Sequence, residues 1–294
     1  MKKLLLIGVD FDAPFKIPLK KFLCYNRRKK ILWRTRVHQF LFYVGDFPIR
    51  SYGVVLSLSI FLATGVGYFM AKVDGRGYEK FIVDIGLIGG FFGLLGARLW
   101  DVFFFDWSYY QNHLSEILNV WQGGMAVQGG IILGVTAGAL YAKTKGLDVI
   151  HLADLMAPAI VLGQALGRCA NLLNGDAFGA PTGTGYGIIY PDTTLAYHTY
   201  GNQPLFPAEV WECQLDVVIF ALLLIFRCTN YVKGQCFTLY VMLYAAARFA
   251  LEFLRGDYTS QVIGVLKSAQ VTSVIAFTIA AGIFIYLGWR RRRD

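Results

Sequence analysis

The chain has 294 residues, of which 56% are hydrophobic and 16% aromatic, and it carries a formal net charge of +9. Soluble domains are only about 45–50% apolar, so this composition excludes an ordinary soluble globular protein. Several apolar runs are about 20 residues long, the length that an α-helix needs to cross a hydrocarbon core. The sequence therefore predicts an all-α membrane protein, and not a β-barrel, whose strands would give shorter alternating segments.

Seven transmembrane helices are predicted in chain order. They lie near residues 52–71, 81–103, 126–143, 151–173, 208–228, 235–254 and 269–289. Together they form a transmembrane domain of residues 51–290. A basic amino-terminal tail, 1–50, precedes this domain, and a short basic tail, 290–294, follows it.

Two longer connections carry structure of their own. Residues 107–121 mix aromatic and polar side chains, which is typical of an amphipathic helix lying at a membrane interface. Residues 174–207 are rich in glycine, threonine, tyrosine and proline. We expect this second segment to form a small folded head with a short strand near 187–190, and loops of that length often contact a substrate or partner.

The distribution of lysine and arginine predicts the orientation in the membrane. Both are absent from 104–125 and 174–207 but present in the connections 72–80, 143–149 and 228–234. Because basic connections stay in the cytoplasm, the carboxyl terminus is predicted inside and the head outside. Seven spans then put the basic amino-terminal tail outside, against the same rule. A start codon upstream of the true one, a tail far from the first span, or an extra inserted element would each explain this conflict.

No metal site, cofactor or nucleotide site is predicted. The histidines are scattered, and the cysteines show no paired spacing. No Walker loop and no glycine-rich dinucleotide motif follows a strand. The positive charge is attributed to membrane topology, so nucleic acid is not expected as a partner.

Ionisable side chains inside the predicted spans are functional candidates, because each costs a few kcal/mol or more at mid-membrane. They are Asp84, Arg98, Asp101, Asp154, Arg168, Glu209, Glu212, Asp216, Arg248 and Glu252. In the segment 167–179, Arg168 and Asn171 share a helix face, and Asn174 ends the helix. This face could offer a guanidinium group and amide donors to a phosphate, although a purely structural polar turn is the alternative.

Three further segments could belong to the same site. Arg248, Glu252 and Arg255 lie on one helix face, where the alternative is a self-satisfied salt-bridged helix. Residues 207–212 open a span with a proline and two acids, which is also ordinary helix-start chemistry. Residues 121–130 contain two glycine pairs that allow close approach of a ligand or helix. Glycine stripes in the second and third spans more often indicate helix packing.

Together these segments resemble the prolipoprotein diacylglyceryl transferase family. Residues 167–179 fit the family signature Gly-Arg-x-Gly/Ala-Asn-x-x-Asn-x-Glu/Asp-x-x-Gly, with Asp176 in the acidic position and Gly179 last. Smaller matches are Arg50-Ser51-Tyr52-Gly53, Gly96-Ala97-Arg98, 121–130, 207–212 and 248–255. The resemblance spans residues 45–290, in the family's order. Gln128 and Phe206 stand where the family usually has histidines, and neither side chain can titrate.

The resemblance implies transfer of diacylglyceryl from phosphatidylglycerol to the lipobox cysteine of prolipoproteins. It also implies a multi-pass protein of the bacterial inner membrane, among membrane lipids, with a periplasmic head. We expect Arg168 and Arg248 to bind the phosphate, Asn171 to orient it, Gln128 to hold the lipid, and Tyr52 or Glu212 to relay the thiol proton. Further expected substrate-binding residues are Asn174, Asp176, Gly179, Gly129, Gly130, Arg98, Glu252 and Arg255. A divergent paralogue that binds phospholipid or lipoprotein, and a lipid or solute transporter, are the alternatives.

Overall fold

A computed structural model describes residues 32–34, 39–119, 123–257, 261–263 and 266–291. In these residues the chain forms seven long helices and two short ones. The long helices are α1 (Ser51–Asp74), α2 (Glu79–Trp100), α4 (Val127–Thr144), α5 (Val149–Asn174), α7 (Ala208–Arg227), α8 (Gln235–Leu251) and α9 (Ser268–Arg290). The short helices are α3 (Trp107–Tyr110) and α6 (Leu195–Tyr200). The strands are β1 (Leu32–Arg34), β2 (Phe40–Val44), β3 (Phe47–Arg50), β4 (Gly187–Ile189), β5 (Gln261–Ile263) and β6 (Leu266–Lys267).

The seven long helices coincide with the seven predicted segments, which confirms a helical membrane protein. Five of them are long and apolar enough to cross a membrane, namely α1, α2, α5, α8 and α9. For α2 and α8 this length includes the helical turn that follows each helix. Helices α4 and α7 do not meet this criterion, and α7 carries three buried acids in its first half. The count of seven spans therefore stays a prediction.

Helices α2 and α4 pack along their glycines. A Cβ atom added to Gly89 would lie 3.7 Å from the Gly134 carbonyl oxygen, and one on Gly93 would lie 3.6 Å from that of Gly130. A Cβ atom on Gly129 would overlap the backbone of Gly96. The two backbones thus approach as closely as small residues permit, which confirms the packing interpretation of the glycine stripes.

Polar side chains join the helices at the end of the bundle where the basic connections lie. His151 Nε2 lies 2.9 Å from Asp74 Oδ2, and Lys233 Nζ lies 2.5 Å from Asp148 Oδ2. The Asp154 carboxylate of α5 accepts backbone N–H groups from the start of α8 at 2.6 and 2.8 Å. Three connections are therefore fixed to one another at this end.

The opposite end carries the head. Strand β4 pairs in parallel with β1, and residues around α6 enclose a small apolar core. This core consists of Phe178, Ile188, Tyr190, Ala196 and Leu205. The structure confirms the predicted folded head and its short strand.

The segment after α2 does not form the single amphipathic helix that the sequence predicted for 107–121. A π-helical turn (Asp101–Phe105), α3 and a 3₁₀ turn (Leu114–Glu116) follow one another there, and 120–122 lie outside the described residues. The cause is Arg98, which is 1% exposed and donates to the carbonyl oxygens of Glu116 at 2.8 Å and Ile117 at 2.7 Å. A continuous helix would use these carbonyls internally.

The predicted basic tail is described only in part, since 1–31 and 35–38 lie outside the described residues. Strands β2 and β3 form an antiparallel hairpin directly before α1. The Gln39 side chain donates to the Asn174 carbonyl oxygen at 3.0 Å. The described part of this segment is therefore tied to the carboxyl end of α5.

Candidate functional site

The site begins where α5 ends. Gly175 adopts a φ of 74° and closes the helix, with its N–H donating to the Asn171 carbonyl oxygen at 2.8 Å. A Cβ atom at this position would lie 2.5 Å from the Thr194 Cγ2 atom of the head. Only glycine combines this left-handed backbone with so close a contact. The predicted helix end at Asn174 is confirmed.

The two asparagines of the signature hold its acidic residue. Asn171 Nδ2 donates to Asp176 Oδ1 at 3.0 Å, and Asn174 Nδ2 donates to Asp176 Oδ2 at 3.2 Å. Burial raises the pKa of Asp176 above its ordinary value, and the two amide donors act in the opposite direction. Arg168 Nη1 in turn donates to Asn171 Oδ1 at 3.3 Å. The signature residues therefore orient one another and, through Asn171, the arginine.

Glu212 of α7 is the centre of the site. Its Oε1 atom lies 2.5 Å from Arg168 Nη2, and its Oε2 atom lies 3.3 Å from Arg255 Nη1 and 3.6 Å from Arg248 Nη1. The Glu212 side chain is 2% exposed. One buried carboxylate thus lies close to three guanidinium groups, which come from α5, from the last turn of α8 and from the segment that follows α8.

Two more carboxylates complete the ion-paired network. Arg248 Nη2 lies 2.9 Å from Glu252 Oε2, which confirms the predicted i,i+4 pair. Lys267 Nζ lies 3.6 Å from the other oxygen of Glu252. Arg255 binds both oxygens of Asp257. Burial opposes the charge of Arg255, but its carboxylate partners raise its pKa above the ordinary value.

The head holds Arg255 in place through main-chain contacts. The Gly179 N–H donates to the Phe206 carbonyl oxygen at 3.1 Å, and the Gly256 N–H donates to that of Phe178 at 3.1 Å. Gly179 forms an antiparallel bridge with Arg255. A Cβ atom on Gly179 would overlap the Phe206 backbone. The last glycine of the signature therefore serves the close packing of three segments.

The ion pairs join four cations and three carboxylates, and two of the arginines are partly exposed. Its members are the cations Arg168, Arg248, Arg255 and Lys267 and the carboxylates Glu212, Glu252 and Asp257. The Arg168 and Arg248 side chains are 20% and 16% exposed. Within the described residues Arg248 Nη1 is buried and has no hydrogen-bond acceptor. The partly exposed guanidinium groups of Arg168 and Arg248 can bind an anionic group.

Other predicted site residues lie at varying distance from this network. Tyr52, in the first turn of α1, interacts electrostatically with Asp176 and Arg168. Gln128 is exposed at the start of α4, and no described residue is hydrogen-bonded to its side chain. The Arg98 side chain donates its hydrogen bonds to main-chain carbonyl oxygens. Gly129 packs directly against the backbone of α2. Gly130 lies in the same helix contact. For all of them a role in substrate binding or catalysis stays a prediction.

Sequence reasoning missed some members of the site. Lys267 and Asp257 lie in the connection after α8, and Tyr190 of the head donates to the buried Glu209. The signal for Lys267 was present. It is a lysine in a connection at the head end, where the charge rule expects few cations. In the described part of the chain no group of histidine, cysteine and acidic side chains could hold a metal ion.

Comparison with known proteins agrees with the resemblance. A family model described as prolipoprotein diacylglyceryl transferase matches residues 39–286. A relative in Geobacillus kaustophilus (strain HTA426) is 34% identical over 256 residues, covering 85% of this chain and 94% of the relative.

Two other relatives give the same result. One in Clostridium kluyveri (strain NBRC 12016) is 32% identical over 253 residues, covering 86% of this chain and 97% of the relative. One in Bacillus licheniformis is 33% identical over 256 residues, covering 85% of this chain and 93% of the relative. All three relatives are named phosphatidylglycerol–prolipoprotein diacylglyceryl transferase. This chain therefore belongs to the prolipoprotein diacylglyceryl transferase family.

Proposed function

We propose that this protein transfers the diacylglyceryl group of phosphatidylglycerol to the lipobox cysteine of prolipoproteins. The names of its relatives give phosphatidylglycerol and prolipoprotein as the two substrates. The observation that carries the proposal is the convergence of three guanidinium groups on Glu212. The paralogue and transporter alternatives are not favoured, since the likeness extends over nearly the whole length of proteins with the transferase name.

The phosphate of the lipid would bind to the accessible edges of Arg168 and Arg248. A phosphodiester carries one negative charge, which the two arginines attract. Guanidinium groups suit phosphate because they offer donors in a planar fork. The Arg168 and Arg248 side chains are partly exposed, at 20% and 16%, so both can offer such donors. The ion pairs with Glu212 and Glu252 fix both arginines before the lipid arrives, so little reorganisation is needed at the moment of reaction.

In the reaction, the cysteine sulfur attacks the carbon of the diacylated glycerol that bears the phosphate. A carbon–sulfur bond forms, the carbon–oxygen bond breaks, and its electron pair leaves with glycerol phosphate. A free cysteine thiol has a pKa of about 8.5, and nearby cations lower it, so the arginines favour the thiolate. We assign the relay of the thiol proton towards solvent to Tyr52, since the oxygens of Glu212 face three arginines.

The remaining predicted residues would act around this centre. Four residues of the signature would hold Arg168 and the head in their relative positions, namely Asn171, Asn174, Asp176 and Gly179. Gln128 would hold the lipid ester through its amide.

We place the protein in the bacterial inner membrane, with its head in the periplasm and its carboxyl terminus in the cytoplasm. The ion network lies at the head end, and the basic connections lie at the other end. The lipobox cysteine would reach the network from the periplasmic side. A fluorescent protein fused after Asp294 should fold and emit in the cytoplasm. An alkaline phosphatase that is active at the same position would contradict this orientation.

The function is tested by thioether formation on a lipobox peptide by the purified protein, and by complementation of a strain depleted of its own transferase. Arg168→Gln and Arg248→Gln should abolish both while the protein still inserts. Arg76→Gln is the matched control, because Arg76 is 60% exposed and pairs with Asp74 at the other end. Normal lipoprotein maturation in both active-site variants would contradict the proposal.

A further inference from the structure

Lys267 precedes α9 and reaches back to the end of α8. Its Nζ atom donates to the carbonyl oxygens of Arg255 at 2.7 Å and Glu252 at 3.2 Å. The same atom lies 3.6 Å from Glu252 Oε1. The Lys267 main-chain N–H donates to Gln270 Oε1 at 3.0 Å, which fixes the residue at the start of α9.

Glu252 occupies a place that is unfavourable for a carboxylate. It follows Leu251, the last residue of α8. The end of a helix carries partial negative charge, and its last carbonyl oxygens lack partners within the helix. A buried carboxylate there is repelled unless a cation lies beside it. Two cations, Arg248 and Lys267, lie beside Glu252, and Lys267 also binds the carbonyl oxygens of Glu252 and Arg255 in the turn after α8.

Glu252 in turn holds Arg248. Its two oxygens divide between two cations, with Oε2 at 2.9 Å from Arg248 Nη2 and Oε1 at 3.6 Å from Lys267 Nζ. Glu252 is 1% exposed, whereas Lys267 is 19% exposed. The contacts thus run from Lys267 through Glu252 to the arginine that faces the site.

We propose that Lys267 is a positioning residue that orients Arg248, through Glu252, for binding of the phosphate of the lipid substrate. This inference rests on the proposed function, in which Arg248 binds that phosphate. Lys267 makes no other ion pair within the described residues, so its charge acts on the site through Glu252, and its contact with the Arg255 carbonyl oxygen fixes the main chain after α8.

The first test compares Lys267→Met with the wild-type protein in thioether formation at varied phosphatidylglycerol concentration. We expect the KM for phosphatidylglycerol to rise about ten- to hundredfold, the range for loss of a hydrogen bond to a charged group, with a smaller change in kcat. The KM for the lipobox peptide should not change. Lys267→Arg should keep most of the activity because it keeps the charge. Lys72→Met, an exposed lysine at the other end of the bundle, is the matched control.

The second test asks whether the effect passes through Glu252. In a Glu252→Gln background, Lys267→Met should add little, because the residue that it acts on is already changed. A full additional loss in the double variant would overturn the proposal, as would an unchanged KM in the single variant. Should Lys267→Met fail to accumulate, Lys267→Gln, which keeps a donor but no charge, is measured instead.

The third measurement separates this inference from the proposed function. The unfolding midpoint of each variant is followed with and without phosphatidylglycerol. If the wild type binds the lipid but forms no thioether, the proposed function fails, and Lys267→Met should still show a smaller lipid-induced rise. An equal rise in both proteins would overturn the role of Lys267 alone. A wild type that neither reacts nor binds the lipid would overturn both proposals.

Discussion

Replacing Glu212 by glutamine should separate the two parts that this residue could have in the reaction. The change keeps the side-chain shape but removes the charge that faces Arg168 at 2.5 Å, Arg255 at 3.3 Å and Arg248 at 3.6 Å. Removing one partner of a buried ion pair costs about 3–5 kcal/mol, because the remaining charges stay buried. If the loss of the ion pairs displaces the arginines from the phosphate site, kcat/KM should drop about 10²- to 10⁴-fold.

The assay is the initial rate of thioether formation, measured across pH on protein whose folded fraction is checked by thermal unfolding. A residue that positions the arginines predicts the same loss at every pH. A proton relay predicts instead that one limb of the pH profile disappears. Glu212→Asp, which keeps the charge on a shorter side chain, should lose less than Glu212→Gln. A folded Glu212→Gln protein with wild-type kcat/KM, or a loss confined to one limb, would refute the reasoning.

Three other changes have expected results. Gly129→Ala should lower stability by about 1–3 kcal/mol, because the added methyl group meets the Gly96 backbone, and unchanged thermal unfolding would contradict the packing. Asp148→Ala should cost about 1 kcal/mol of stability through loss of the amino-terminal cap of α5 without changing kcat. A hydrogen bond from Lys233 lowers the pKa of Asp148. The wild type should therefore unfold at a higher temperature than Asp148→Ala at neutral pH, and this difference should vanish as the pH falls below the pKa of Asp148. Gln128→Ala should lower kcat/KM less than about tenfold, since the phosphate is bound by arginines, and complete inactivity would place Gln128 at the reacting atoms.

The parts of the site that lie close in sequence could be predicted. The spacing of Arg168 and Asn171, and that of Arg248 and Glu252, put each pair on one helix face, and both pairs are in contact. Helix periodicity is a local property, so a sequence reveals it directly. The seven long helices were found from the length of apolar runs, which is also a local property of the sequence.

The parts that depend on tertiary contact could not be predicted. The resemblance suggests Glu212 as a relay of the thiol proton, but nothing in 207–212 shows that three arginines from other segments surround it. The contacts of Arg98 could not be predicted either, because its donors bind main-chain carbonyls that a continuous helix at 107–121 would have consumed. A local pattern does not reveal which distant group an arginine meets.

The cap that Asp154 provides has a consequence for how the protein is assembled. The first N–H groups of α8 are bound by a side chain of α5, which is synthesised some eighty residues earlier. While the two helices are apart, those N–H groups lack the carboxylate that binds them in the folded protein. The first turn of the helix that carries Arg248 is therefore capped only when this helix packs against its older neighbour, so the ion network at the head end depends on a contact made at the opposite end of the bundle.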